Sequence, residues 1–197
     1  MIRGGRIRSF PAKATSHLAV HGFYGHYCFL PLYVFCGSRL LVAYLRPSNI
    51  DAPLHTRAIL KLLVARLRQA WPNVRIVLRA DSSFARWKLR RWCEKNSVFY
   101  VVGLSRNKVL ERLGAPFMQA AEAEYQRTQQ KVRNFHEFRY AAQSWECERR
   151  VIVKAERLEQ GPNVRFVLTN LDAPPRRSTT SVTRRVATWR IASRNSS

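Results

Sequence analysis

Hydrophobic positions along this chain follow two different periods, and the change of period marks out its elements. Between residues 23 and 36 the run FYGHYCFLPLYVFC is aromatic and β-branched, which predicts a strand over about 24–36. Pro31 has no N–H to give to a ladder, so an edge or a bulge is expected there. Gly37-Ser38 signals a turn, and RLLVAYL predicts a second strand at 39–45, closing a hairpin. From 55 to 71 the period becomes helical. Leu60, Leu63, Val64, Leu67 and Trp71 form one apolar stripe, while Arg57, Lys61 and Arg68 lie off it. Pro72-Asn73 ends this helix, and VRIVLRA at 74–80 predicts a buried strand with Asp81 at its carboxyl end. Ser82-Ser83 then leads into a helix over 84–96, and VFYVVGL predicts a strand at 98–104.

The order β-β-α-β-α-β predicts an α/β layer fold for the first half. The second half reads differently. A charged segment at 105–136, helical around 116–131, precedes alternating runs at 137–145 and 148–156. Gln160-Gly161-Pro162-Asn163 is a turn signal, and VRFVLTNL at 164–171 predicts a last strand, so an antiparallel β-rich element follows the α/β part. Residues 1–20 carry Arg3, Arg6, Arg8 and Lys13 without periodicity and are expected to be a disordered basic arm.

Charge then narrows the function. Thirty-five Lys and Arg stand against twelve Asp and Glu, a formal net charge of +23 on 197 residues. Such an excess opposes compaction unless a polyanion neutralises it, which points to DNA or RNA as partner. Arg supplies most of the excess and offers phosphate a planar fork, although a G+C-rich coding sequence has the same effect. With 46% hydrophobic residues the chain can still bury a core. The apolar run around Tyr27 to Cys36 is too short to span a bilayer, and no secretory signal is seen, so a soluble, cytoplasmic protein is expected. Cys28, Cys36, Cys93 and Cys147 have no C-x-x-C spacing, which argues against zinc and for free thiols.

Acids are scarce, and that makes each one informative. Only Asp51, Asp81 and Asp172 are aspartates, and Asp81 stands where α/β sheets usually place ligand chemistry. An Asp before Ser-Ser and a helix is also an ordinary N-cap. His21, His26 and His55 have no partner at ligand spacing, Ser82 and Ser83 lack the frame of a nucleophile elbow, and Glu122 and Glu124 read as solvated.

Three runs carry a resemblance: HGFYGHYCFLPLYVFCGSRLLVAYLRPSNIDA, WPNVRIVLRADSSFARWKLRRWCEKNSVFYVVGLSRN and NVRFVLTNLDAPP. Together, over residues 21 to 175, they resemble the DDE transposases of the insertion-sequence 1380 family. The resemblance implies a ribonuclease-H-like core at 21–104, interrupted by a helical and β-rich insertion at 105–175. It also implies that Asp81 is the second of three catalytic acids holding Mg²⁺ for cleavage and transfer of DNA strands. Two metal ions activate the attacking oxygen and stabilise the leaving one, which requires several converging carboxylates.

The departures from that family are specific. Its first acid lies in a D-x-T-D-D run on the strand before HGFYGHY, whereas here no Asp or Glu precedes Asp51. Its third acid is a Glu in Y-x-x-R-x-x-x-E, but the residues after Asp172 include neither acid nor Tyr. Shifting the frame permits, among other readings, KIYDERYAPRGDMENRIKEQQ from Arg177 onward, and the codon where Trp189 meets Arg190 can then be only Glu or Ala. Residues 176–197 are therefore expected to be an out-of-frame, disordered basic tail. The leading expectation is a truncated transposase that binds transposon ends and target DNA but is catalytically inactive. The alternative is a non-enzymatic basic DNA- or RNA-binding protein.

Overall fold

The computed structural model describes residues 19–20, 27–47, 50–51, 53–175 and 187–193, with 19–20, 27–28 and 187–193 described through the backbone alone. Two short strands, β1 (Ala19–Val20) and β2 (Tyr27–Cys28), pair antiparallel. The main sheet takes β3 (Leu32–Cys36), β4 (Arg39–Tyr44), β5 (Ile76–Ala80), β6 (Phe99–Leu104), β7 (Val132–Tyr140), β8 (Arg149–Leu158), β9 (Gly161–Thr169) and β10 (Ala187–Ser193). Its spatial order is β4-β3-β10-β5-β6-β9-β8-β7. The β5–β6 and β5–β10 pairs are parallel and the others antiparallel, so this is a mixed α/β sheet of the kind a ribonuclease-H-like DDE domain has.

Helices α1 (Thr56–Ala70), α2 (Trp87–Lys95) and α3 (Lys108–Thr128) all pack on one face. Leu60 and Val64 of α1, Leu89 and Cys93 of α2, and Leu110 of α3 bury against Leu78, Tyr100, Val102, Phe166 and Leu168 in one cluster. Alternate sheet residues face the other way, where Val77, Val101 and Leu171 form a separate small cluster. Leu63 and Leu67 pack on the main cluster while Arg57 and Lys61 stay exposed, as the stripe on α1 requires, but Trp71, expected to end that stripe, lies past the helix as its C-cap and is exposed.

Several boundaries differ from the sequence expectation, each for a local reason. The 24–36 strand is broken into β2 and β3, its residues 24–26 lying outside the described ones. At the break Phe29 bridges Pro47 and the Leu30 N–H reaches the Arg46 carbonyl at 2.8 Å, just before Pro31 with its missing donor. The 84–96 helix shortens to α2, because a 3-10 turn at Ser82–Phe84 comes first. Helix α3 begins well before 116 and runs through Pro116, since Asn107 caps it by accepting the Leu110 N–H at 2.9 Å and Leu110 and Gly114 are buried. Strand β7 lies N-terminal to the expected 137–145, with β8 and β9 close to the expected runs; Gly161, at φ +126°, starts β9 directly after the two-residue turn. The β-rich insertion is not a separate sheet, because β9 pairs with β6 and extends the core.

The largest correction concerns 176–197, expected to be a disordered tail. Residues 187–193 form β10 in the middle of the sheet, antiparallel to β3 and parallel to β5. The sequence ATWRIAS is rich in strand formers, and β3 and β5 each present an edge of backbone donors and acceptors that needs a partner. Residues 176–186 and 194–197 lie outside the described ones, as does the 1–18 part of the expected arm.

Gly114 sets how closely α3 approaches the sheet. A Cβ there would stand 2.9 Å from Cζ of Phe166, a ring itself 2% exposed and packed edge-on against Phe138. Gly114→Val should therefore cost about 1–3 kcal/mol by overpacking, read as a lowered denaturant midpoint. Adding Phe166→Leu should restore part of it, because the smaller side chain gives the new methyl groups room.

Candidate active site

Because β5, β6 and β10 run parallel or in direct succession, the carboxyl end of β5 opens onto one rim of the sheet, and Asp81 stands there. Its carboxylate accepts the Ser83 N–H at 2.8 Å and so caps the 3-10 turn. Among the described residues it makes no other hydrogen bond or ion pair. The side chain is exposed, at the edge of a depression of about 410 Å³ lined also by Arg79, Ser82, Gly103, Arg106 and Arg165. Three arginines thus line the same depression as one carboxylate, and burial lowers the pKa of Arg79 from its ordinary value. Gly103 makes the floor. A Cβ there would approach the Ser82 backbone nitrogen to 3.2 Å, so a larger residue would require the Asp81 turn to give by a few tenths of an ångström.

The other residues singled out from sequence are not brought to this rim. Asp51 pairs with Arg86 at 2.7 Å on the surface. Glu122 engages Arg157 and Gln126, and Glu124 accepts from Asn134. His55 precedes α1 with φ 68°, its ring 5.6 Å from that of Tyr44. His21 and His26 lie outside the described residues. Cys36, Cys93 and Cys147 are free thiols, and burial pushes the Cys93 thiol up to about 12, which suits a core residue and not a ligand or nucleophile. Asp172 lines a larger cavity of about 560 Å³ towards the opposite end of β6 and β9.

That larger cavity is organised by an ion pair that sequence reading missed. Glu94 accepts two hydrogen bonds from Arg149, at 2.8 and 3.0 Å, and a third from the Tyr100 hydroxyl at 2.8 Å. The Arg149 hydrogen bond, with help from Tyr100 and against the effect of burial, holds the Glu94 carboxyl below its ordinary range. The acid is fully engaged, so the pair acts as a staple between α2, β6 and β8. Neither Gly103 nor this pair has a local sequence signature, because both depend on strands far apart in the chain.

Against this geometry the chain matches the family described as transposase DDE domain, group 1, over residues 14–186. The chain belongs to that family. Comparison with curated proteins and with solved structures gave no match. A transposase DDE domain serves DNA cleavage and transfer in transposition and generally uses divalent metal. The described residues do not fit such a metal pair. They contain no group of three His, Cys, Asp or Glu able to hold an ion, and one oxygen of Asp81 is already committed to Ser83. No helix among them is long and apolar enough to cross a membrane.

Two outcomes are expected for this site and its neighbour. Asp81→Ala should lose the cap and about 1 kcal/mol of stability, whereas Asp81→Ser should keep most of it, as denaturant titration would read. For Glu94, a depressed folded-state pKa means a stabilisation present above the unfolded value near 4.5 and lost as pH falls through the folded one. Glu94→Gln should flatten the fall of the denaturant midpoint below pH 4.5 relative to the parent.

Proposed function

We propose that this chain is a DDE transposase domain, of the insertion-sequence 1380 type, that binds DNA in the cytoplasm through its charge and does not cut it. The observation that carries this reading is the composition of the two strands flanking Asp81. β10 is ATWRIAS and β6 is FYVVGL, and neither contains a carboxylate. Asp81 has the position of a metal-ligating catalytic acid, but Mg²⁺ keeps its hydration shell unless several carboxylates converge on it. In-line displacement at phosphorus by two metals needs that convergence.

The shifted reading of the C-terminal segment gives this loss a cause. Its Glu falls where Trp189 meets Arg190, inside β10. Restoring the frame after Pro175 would supply that acid on a helix and at the same time withdraw β10 from the sheet. The slot between β3 and β5 would then need another strand, and the first acid of the family is carried by a strand.

Incubated with supercoiled plasmid and Mg²⁺ or Mn²⁺, the chain should neither nick nor join DNA. A version with the frame restored should remain inactive until a strand bearing the first acid is added ahead of β3. In that rebuilt enzyme Asp81→Ala should abolish cleavage while far-UV circular dichroism stays unchanged. Metal-dependent cleavage by the present chain, lost on Asp81→Ala, would overturn the inactivity. Cleavage by the rebuilt enzyme that survives Asp81→Ala would remove the residue on which the functional reading stands.

A further inference from the structure

We infer that Arg106 and Arg165 form a phosphodiester-binding clamp across the mouth of the Asp81 depression, holding the backbone of one DNA strand over Gly103. The inference rests on the DNA-binding reading above and adds its location and residues. Its ground is the distribution of ion pairs. Arg133 and Lys154 share Glu156, Arg149 holds Glu94, Arg150 holds Glu137, Arg157 holds Glu122, Arg91 holds Glu146 and Arg86 holds Asp51. Six of the twelve acids are thus engaged in these ion pairs, on α2, α3, β7, β8 and the loops at Asp51 and Glu146. Arg106 and Arg165 are both exposed and form no ion pair or hydrogen bond among the described residues, and the only carboxylate lining their depression is Asp81.

Geometry selects the ligand. Arg106 follows β6 and Arg165 lies in β9, and β6 and β9 are paired through Gly103–Val167 and Leu104–Phe166. The two guanidinium groups therefore flank one depression from neighbouring strands. Its volume of about 410 Å³ takes one phosphodiester with its sugars, not a duplex. Among the described residues the lining is three Arg and one Asp, otherwise apolar or small, with no second carboxylate and no aromatic ring other than Phe166, which is buried. It is suited to an anion and carries little that could read a base edge, so binding there should be independent of sequence.

The test is salt-dependent binding of the full chain to a fluorescent mixed-sequence duplex and to the matching single strand, followed by anisotropy. The slope of log affinity against log salt falls by about 0.9 on duplex for each phosphate no longer neutralised, so loss of the one clamped phosphodiester in R106Q/R165Q should lower it by about 0.9. On the single strand the same pair of changes should lower it by about 0.7. Arg57 and Lys61 are exposed on α1, which packs on the opposite face of the sheet, and R57Q/K61Q serves as the control of equal charge change. A smaller fall in that control supports the clamp. Equal falls in the two double variants, or an unchanged slope in R106Q/R165Q, overturn it while leaving DNA binding in place. No binding by the parent chain overturns the DNA-binding reading, and the clamp with it.

Discussion

Backbone pairing along β5 is the constraint on which the rest of the structure depends. This strand is hydrogen-bonded on both sides to parallel neighbours, β10 and β6. Three strands that end at one rim leave the residue after β5 nowhere to go but that rim, and the chain turns there through Asp81. The β3–β4 hairpin has no pairing of its own with β5 and reaches the rest of the sheet through β10. The parallel β5–β6 step needs a crossover, which α2 supplies, and the burial of Leu89 and Cys93 fixes it to the face already occupied by α1. Asp81 owes its position to this frame, so its location follows from pairing and not from any interaction of its own carboxylate beyond the short cap to Ser83.

Electrostatics sorts the surface built on that frame. With so few acids for so many cations, where the carboxylates fall decides where positive charge remains uncompensated. They fall mainly on the antiparallel half. Glu156 is 2% exposed as a residue and sits between Arg133 and Lys154, and Glu137 holds Arg150, so the long β7–β8 ribbon is cross-linked on the face away from the helices. Glu122 joins α3 to Arg157 on the other face. The partly exposed pairs, Arg150–Glu137 and Arg157–Glu122, add little stability singly and mainly neutralise the ribbon, whereas the buried Glu156 carboxylate depends on both of its cations. Arg106 and Arg165, which line the depression with Asp81, are among the cations left without an ion pair among the described residues.

Much of this was legible in the chain, and the reasons it was not wholly so are physical. The α1 stripe, the β5 strand and the position of Asp81 follow from local periodicity, which tertiary packing here reinforces. The start of α3 was hidden because Pro116 reads as a first-turn residue, whereas the Asn107 cap and the burial of Leu110 hold the helix together ahead of it. Gly103, Arg106 and Arg165 were not legible as a group, since the depression exists only once β9 returns beside β6 from a distant part of the chain. The Glu94–Arg149 staple was hidden for the same reason.

The strand β10 shows why one short segment can change both the fold and the chemistry. Read as ATWRIAS it places Thr, Trp and Ile among small residues, and it can fill the gap between β3 and β5. In the proposed alternative frame the same stretch reads as part of a charged sequence rich in helix formers, which has no reason to lie in a sheet centre. One segment cannot both complete the sheet beside β5 and supply an acid from a helix outside it. Under the proposed change of frame, losing the helix and gaining the strand would be a single event. On that reading, the sheet closes around Asp81 with a strand that brings no carboxylate, leaving a transposase domain with its core paired and its metal site without partners.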